Sequence, residues 1–330
     1  MLVLTCEIGI TRKGKKIASF SSVSEIVIKH SLFNMSSTAI IKLPLSAMLK
    51  YTNEEKWHVE ELNNILKNDK VVIQLGYNNE LKTEFTGYIK RFNYSTPGTI
   101  ECENIYLKMR DNNKDYDPKE AKAKLEDVIK FIFPEVEIAH CADLTLKNLM
   151  KEQLSGELFL RKLKRDYNVC IFFDLDEKLH IGQPDDMGLA QDTIKYQFGL
   201  NTIKNEELKY HYTDDTPIKI KATCYLKDGE EIKVEVGEDG GEEKSISFYD
   251  VEDEKQLKAL AKAELTRYQA SGFRGKLTAF LQPYAFPGMI ADINDPIYTD
   301  KNGQYLIESV ETSYSKSGGR RQIGIGMMMP

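Results

Sequence analysis

The chain has 330 residues, of which 41% are apolar and 29% charged, and its formal net charge is −6 at neutral pH. This length exceeds that of one hydrophobic core and predicts two or three domains, while the composition excludes disorder and fibrous repeats. The net charge is small and the sequence contains no basic stripe, so we expect no sequence-specific nucleic-acid binding. No run approaches the roughly 20 apolar residues of a membrane span, so no integral membrane segment is expected.

The first stretch, MLVLTCEIGI, alternates apolar and polar residues like a strand and has no basic leader. We therefore expect no signal peptide and a protein made and folded in the cytoplasm. The cysteines are odd in number and widely spaced, without a C-x-x-C pair, so we expect reduced core thiols and no metal or cofactor. They are Cys6, Cys102, Cys141, Cys170 and Cys224.

The first predicted domain, residues 1–107, is a small antiparallel β-barrel. EIVIKH (25–30) and AIIKLPL (39–45) show the period-two alternation of half-buried strands. A helix-like stretch from about Glu54 to Leu66 follows, and then a hairpin over 71–92 whose turn begins at Asn78 and Asn79.

The second predicted domain, residues 108–190, combines helices with a hairpin. Asp117 followed by Pro118 predicts a helix start, Phe133–Pro134 ends that helix, and Ser155 caps the next one. VCIFFDLDEKLHIG then reads as two strands joined by an acidic turn. The apolar stripes of the two helices comprise Leu125, Val128, Ile129, Ile132 and Phe133, and Leu158, Phe159 and Leu163.

The third predicted domain, residues 191–330, is a second β-barrel with an inserted strand and helix segment at about 217–270. A helix is expected from about Asp250 to Gln269, with Gly272 as its stop, and the acidic GEDGGEE (237–243) is expected to be a solvated loop. The last sixty residues return to strands. The predicted fold class is mixed α+β, mainly β, with two related small antiparallel barrels flanking a helix-plus-hairpin α/β domain.

A hairpin pattern occurs twice, at 71–92 and at 287–315. The comparison aligns Val72 and Ile73 with Met289 and Ile290, and it aligns two further pairs in the following strand: Ile89 with Ile307 and Phe92 with Val310. Two copies fit a duplicated barrel better than a solenoid, which needs at least three repeats.

Catalytic signatures are missing from the sequence: it contains no G-x-S-x-G, H-E-x-x-H, phosphate-binding loop or dinucleotide fingerprint. His140 and Cys141 are adjacent, but neighbours on a strand point to opposite faces, so a structural role is favoured over a metal site. A substrate-binding role of Arg274 is disfavoured against a turn-bracing or interfacial one.

Two alternative functions remain open at this stage. A peptidoglycan hydrolase would need converging carboxylates, for which the candidate pairs are Glu60 with Glu61 and Asp174 with Asp176, although a solvated hairpin turn explains the second pair better. A carbohydrate-binding or adhesin module would need exposed aromatic platforms. The chain has one tryptophan, Trp57, in a helix-like segment, and 17 tyrosines.

Several segments occur in the order typical of one family. They are AIIKLP, DKVVIQLGY…EFTGYIKRF, ELFLRKLKRDYNVCIFFDLDEKLHIG, KQLKALAKAELTRY, GFRGKLTAF and FPGMIADI…GQYLIESVETSYSKSGG. The sequence thereby resembles the late-control protein D family, the baseplate hub proteins of contractile phage tails. It also resembles the hub part of type VI secretion spike proteins.

The resemblance implies a structural, non-enzymatic protein that forms a homotrimer. Two similar barrels in each of three chains would adapt a six-fold tail tube to a three-fold spike, with tube and spike proteins as partners. The expected location is the cytoplasm during assembly and then the virion tail baseplate or an injection particle. The candidate interface residues, some of which could instead be barrel-core residues, are Phe85, Tyr88, Arg274, Tyr305, Leu306, Arg320 and Arg321.

Overall fold

The computed structural model describes most of the chain. The described residues are 3–43, 64–93, 95, 97–116, 122–146, 152–184, 187, 192–204, 207–212, 217–226, 230–248, 251, 253–269 and 271–329. Within them the protein is mainly β with few helices, which confirms the predicted class. None of the helices in these ranges has the length and apolar character needed to cross a membrane.

Seven strands form what we call the first β unit. They are β1 (Leu4–Arg12), β2 (Lys15–Phe20), β3 (Glu25–Ser31), β4 (Thr38–Leu43), β5 (Lys70–Tyr77), β6 (Glu80–Asn93) and β7 (Gly98–Glu103). Their alternating apolar residues enclose a core that includes Ile8, Ile28, Ile41, Ile73 and Phe85. The predicted turn at Asn78 and Asn79 is confirmed: both have positive φ, as a two-residue hairpin turn requires.

In the next segment, the α/β unit, the described residues form three helices and seven short strands. They are α1 (Tyr106–Met109), β8 (Asn113–Tyr116), β9 (Ala123–Lys124), α2 (Leu125–Ile132), β10 (Ile138–Cys141), β11 (Thr145–Leu146), β12 (Glu152–Ser155), α3 (Gly156–Tyr167), β13 (Cys170–Phe173) and β14 (Leu179–Gly182). The sheet β10-β14-β13 packs with α2 and α3 around a separate core. The predicted hairpin β13–β14 is confirmed.

Two details of the predicted helices are wrong. Leu158 was placed on the apolar stripe of α3, but it is 68% exposed, whereas Phe159 and Leu163 are buried. Ser155 occupies the N-cap position of α3, yet its side chain makes no capping hydrogen bond. Ser155 is also the last residue of β12, paired with Asn113, so its backbone is fixed by the strand ladder.

The remaining strands form the second β unit and an insert. The second β unit comprises β15 (Thr193–Gln197), β16 (Thr202–Lys204), β17 (Leu208–His211), β21 (Gly272–Ala279), β22 (Ile290–Asn294), the 3₁₀ helix Thr299–Lys301, β23 (Gly303–Ser315) and β24 (Gly318–Met328). The insert comprises β18 (Ile218–Tyr225), β19 (Glu231–Gly237), β20 (Glu242–Phe248) and α4 (Glu254–Gln269), which share their own core.

The two β units share one continuous sheet. Its strand order is β16-β21-β24-β23-β3-β4-β7-β6-β5-β1-β2, with β15 beside β22 and β17 beside β21. No ladder closes either unit into a barrel among the described residues, so barrel closure stays a prediction. The antiparallel pairing of β3 with β23 joins the units side by side.

Five strands of each β unit nevertheless have the same topology. The order β3-β4-β7-β6-β5 in the first unit matches β17-β21-β24-β23-β22 in the second, and every neighbouring pair is antiparallel in both. The sixth strand differs, because β1 runs antiparallel to β5 whereas β15 runs parallel to β22. The structure thus supports a repeated five-stranded unit.

Hydrogen bonds fix which positions of the repeat are equivalent. The Ile89 amide donates to Asp69 O and the Asn68 amide to Ile89 O; likewise, the Ile307 amide donates to Met289 O and the Gly288 amide to Ile307 O. The predicted match of Ile89 with Ile307 is therefore supported. The preceding strand aligns Asp69 with Met289, three residues away from the predicted alignment of Val72.

Asn68 and Gly288 are equivalent and both have positive φ, +71° and +97°. We expect Gly288→Ala to cost about 1–2 kcal/mol, because a Cβ is disfavoured in this region of backbone space. Urea denaturation followed by circular dichroism checks this. Gly9→Ala is the matched control: Gly9 lies in β1, and an added Cβ there meets nothing within 4 Å. An equal effect of both substitutions would contradict the prediction.

Some sequence predictions fall outside the described residues. These are most of the helix-like stretch that begins at Glu54, the helix start at Asp117–Pro118, and the positions of Trp57, Glu60 and Glu61. The helix expected from about Asp250 begins at Glu254 and ends at Gln269 as predicted.

Candidate functional site: the junction of the two β units

The junction is the region where β3 pairs with β23. The ladder runs from Ser31 opposite Ser309 to Glu25 opposite Ser315. On its inner face Ile28, Val310 and Thr312 are at most 1% exposed. This continuous burial makes the contact between units resemble a domain interior rather than a surface contact.

Arg321 lies at the centre of the junction. Arg321, Ile323 and Ile325 are two residues apart along β24. Because every second side chain of a strand points to the same face, all three point to the inner face. Arg321 is 1% exposed. A buried guanidinium requires a carboxylate and further acceptors, because an isolated charge in an apolar interior is very costly.

Glu84 of the first β unit supplies that carboxylate. Nη1 of Arg321 donates to Oε2 at 2.9 Å and Nη2 to Oε1 at 2.7 Å, a bidentate pair. Glu84 is the extra residue of a β-bulge, since Ile73 is opposite Phe85 but the next residue, Gln74, is opposite Thr83. The bulge re-aims the Glu84 side chain into the interior, where it is 4% exposed.

Nη1 and Nη2 of Arg321 also donate to acceptors of the second β unit. Nη1 also donates to Ala285 O and to Thr312 Oγ1, both at 3.1 Å, and Nη2 donates to Leu281 O at 2.9 Å. The guanidinium carbon lies 5.1 Å from the ring centroid of Tyr284. Arg321 therefore links the loop after β21, β23 and the first β unit.

His30 on β3 completes the junction. Its Nε2–H donates to the Glu84 carbonyl at 2.8 Å, and its ring lies 4.9 Å from that of Phe286. Burial, with a smaller contribution from the charge of Arg321, lowers the pKa of His30 to about 4, although the hydrogen bond to the Glu84 carbonyl opposes this. The imidazole is neutral at physiological pH, so the buried cluster carries one cation and one anion.

The arrangement is suited to holding two units in one orientation. The charges of Glu84 and Arg321 neutralise each other, and their hydrogen bonds are directional. Removing one member leaves the other buried without its counter-charge, which typically costs 3–5 kcal/mol. The chemistry of the site is thus that of a structural clamp.

Four of the seven predicted interface residues are buried apolar or aromatic side chains. Phe85 belongs to the core of the first β unit and Tyr305 to that of the second, where its hydroxyl accepts a hydrogen bond from the Phe273 amide at 3.0 Å. Leu306 packs in a small cluster with Leu32 and Phe172. The structure thus places these three in cores, one of the two roles left open for them.

Tyr88, the fourth of these residues, lies between the first β unit and the α/β unit. It is 7% exposed, and Nζ of Lys108 lies 3.4 Å from its ring centroid. Burial, followed by hydrogen bonding and charge from Glu177, raises the pKa of its hydroxyl. Glu177 also pairs with Lys70 at 2.5 Å, so Tyr88 belongs to a contact between two units of one chain.

The remaining predicted interface residues are arginines with different roles. Arg274 donates to the Tyr268 carbonyl at 2.5 Å near the end of α4, as expected of a turn-bracing residue. Arg320 is partly exposed and donates to the Gly319 carbonyl at 2.8 Å. Arg321 is buried in the junction. Whether any of the seven contacts another subunit stays a prediction.

Asp174 and Asp176, the carboxylate pair of the hydrolase alternative that lies within the described residues, belong to the turn between β13 and β14. Oδ1 of Asp174 accepts the amides of Asp176 and Lys178, both at 2.9 Å, and Oδ2 is 3.0 Å from His180 Nε2. Burial alone would raise the pKa of Asp174, but the hydrogen bonds from His180 and the backbone hold it below its ordinary value. This geometry favours the turn interpretation over a general acid.

His140 and Cys141, for which a structural role is expected, are the last two residues of β10. Burial raises the pKa of the Cys141 thiol to about 12. Within the described ranges, no three His, Cys, Asp or Glu side chains come together as metal ligands would.

Sequence reasoning missed Glu84 and His30. A signal existed for their partner, because Arg321 falls on the apolar alternation of β24 and a buried arginine demands a carboxylate. The bulge concealed Glu84, since regular alternation with Phe85 assigns it to the solvent face.

Comparison with known proteins places the fold. No protein-family model and no curated protein matches the chain. Among solved structures, it is similar to the 43 kDa tail protein of prophage MuSo2 from Shewanella oneidensis, with TM-score 0.57, 14% identity, and coverage of 99% of this chain and 100% of that one. A tail protein from Neisseria meningitidis gives TM-score 0.58 and 12% identity, with 98% and 96% covered.

A component of the type VI secretion system of Escherichia coli, described as structurally similar to bacteriophage T4 tail proteins, is also similar. It gives TM-score 0.53 and 12% identity, with 98% of this chain and 76% of that chain covered. These matches agree with the resemblance noted in the sequence. Over nearly its whole length, the chain has the fold of phage tail proteins and of a type VI secretion component.

Proposed function

We propose that this protein is a structural hub of a phage tail baseplate or a related contractile injection system, forming a trimeric ring that adapts a six-fold tube to a three-fold spike. The observation that carries the proposal is the repeated five-stranded unit. Two similar units in each chain give three chains six similar modules, which is the number that a six-fold tube requires.

The fold of the solved tail proteins supports this role over the alternatives. The junction further supports it, because a buried ion pair and a shared sheet hold the two β units of one chain in a fixed relation. A ring part that must match a tube needs such a fixed relation. The proposed partners are a tube protein on one face of the ring and a spike protein on the other.

The oligomeric state of the purified full-length protein tests the proposal. We expect a mass near 113 kDa, three times the chain mass of 37.8 kDa, and ring-shaped particles in electron micrographs whose class averages show six lobes around a channel. Light scattering over a range of protein concentrations provides the mass. A single-chain mass at every concentration, with no rings, would contradict the trimeric hub.

A further inference from the structure

Two strands, β17 and the end of β6, each have an edge without a neighbouring strand among the described residues. The equivalent strands of the internal repeat, β3 and β23, pair with each other at the junction. Among the described residues, no strand pairs with β17 on the side away from β21, and the β5–β6 ladder ends at Lys70 opposite Tyr88. Their counterparts in the repeat are β3, and β23 beyond Ile307, which form the junction ladder. Each edge of the joined pair thus has an open equivalent among the described residues, one in each β unit.

The equivalences fix the register that a second contact would have. Ile89 corresponds to Ile307, and each is followed by a bulge in its ladder with the next strand, so Arg91 corresponds to Ser309. Ala39 opposite Cys102 corresponds to Gly275 opposite Ile325.

The same relation transfers to the outer strands. Ile28 pairs with Ala39 and Leu208 with Gly275, so Leu208 corresponds to Ile28 and His211 to Ser31. Ser31 lies opposite Ser309 in the chain. The equivalent contact puts His211 opposite Arg91.

Side chains at the two open edges are less buried than the equivalent side chains at the junction. At the junction Ile28 and Val310 are at most 1% exposed, whereas their equivalents Leu208 and Phe92 remain partly exposed. Pairing of β17 with β6 would cover these side chains as the junction covers Ile28 and Val310. A second copy of the chain is the occupant that brings the matching edge, because each copy carries one edge of each type.

We propose that β17 of one chain pairs antiparallel with the end of β6 of a second copy, with His211 opposite Arg91 and Lys209 opposite Asn93. This inference rests on the proposed trimeric hub and names its subunit contact. Each chain then contributes one internal junction and one contact between chains, and three chains complete six.

The contact between chains lacks the ion pair of the internal junction. Phe85 corresponds to Gly303, because Ile73 lies opposite Phe85 and its counterpart Ile293 lies opposite Gly303. The position of Glu84 is therefore taken in the second unit by Asn302, which carries no charge. At the position of Arg321, opposite Ala279, the first unit has Gly98, opposite Leu43. The two kinds of contact therefore share their strand geometry but differ in their buried charges.

Disulfide trapping in the full-length chain, with the five native cysteines replaced by serine or alanine, tests the register. Directly opposed residues of antiparallel strands have Cα atoms about 4.5–5.5 Å apart, within the range of a disulfide. We expect Arg91→Cys with His211→Cys to give, after mild oxidation, a ladder of covalent dimers and trimers on a non-reducing gel. Ser31→Cys with Ser309→Cys is the matched control and should crosslink within one chain.

An off-register pair makes the test specific. This pair combines Arg91→Cys with Tyr210→Cys in place of His211→Cys, and it leaves Lys209 and Asn93 unchanged. It should give at least about tenfold less crosslinked product, because a shift of one residue turns the side chain to the other face of the sheet. Equal yields from the two pairs would overturn the proposed register.

The outcome also separates this inference from the hub proposal. Trimers by light scattering without the expected crosslink would overturn the strand pairing and leave the hub standing. Single chains in both measurements, with the control pair crosslinked, would overturn both. A covalent ladder that depends on His211→Cys and Arg91→Cys together supports both.

Discussion

Replacing Arg321 by methionine is expected to lower the free energy of unfolding by about 3–5 kcal/mol, because Glu84 is then buried without its counter-charge. The loss includes the bidentate pair and the hydrogen bonds to Leu281 O and Ala285 O. Urea denaturation of the full chain at neutral pH, followed by circular dichroism, provides the measurement.

Two further variants identify the cause of that loss. Arg165→Met removes an arginine that is 75% exposed and 2.6 Å from Asp166, and should lower the free energy of unfolding far less than Arg321→Met does, because solvent screens an exposed ion pair. Combining Glu84→Leu with Arg321→Met leaves no buried charge and should be less damaging than Arg321→Met alone. If the double variant were the less stable of the two, burial of an uncompensated carboxylate would not be the cause.

Acid is expected to destabilise the protein through His30 before most carboxylates titrate. The folded pKa of about 4 lies below the ordinary value of 6.5, so the unfolded chain binds the proton more tightly. The stability is fully present above pH 6.5 and is lost as the pH falls towards 4. The expected loss is about 1 kcal/mol at pH 5.5 and about 3 kcal/mol at pH 4.

The variant His30→Gln tests this assignment. Glutamine retains an N–H donor for the Glu84 carbonyl but does not titrate, so its unfolding free energy should change less between pH 7.5 and 5.5 than that of the unchanged protein. Denaturation curves at several pH values in that interval measure the slope. Parallel slopes for the two proteins would show that another group is responsible.

The strands, the helices of the α/β unit and the repeated hairpin were predictable because they depend on local alternation and spacing. The alternation of Ile26 with Ile28, for example, indicates a half-buried strand without any tertiary information. The pairing of β3 with β23 was not predictable, since it joins residues almost three hundred positions apart and leaves no local pattern.

The site was predictable only in part. Arg321 was singled out as an interface residue, but its partner in the same chain was not recognised, because the bulge at Glu84 breaks the period on which the prediction of its face relied. The exposed Leu158 shows the converse limit: an apolar residue next to a stripe need not belong to the buried face.

The ion pair between Glu84 and Arg321 has a mechanical consequence if the ring forms as proposed. The internal junction and the proposed contact between chains share their strand pairing. The internal junction is also stabilised by the buried ion pair and by the covalent chain, whereas the contact between chains has neither. Under load during contraction the assembly would part between polypeptides first. Damaged rings would then exchange whole chains and keep each pair of modules intact.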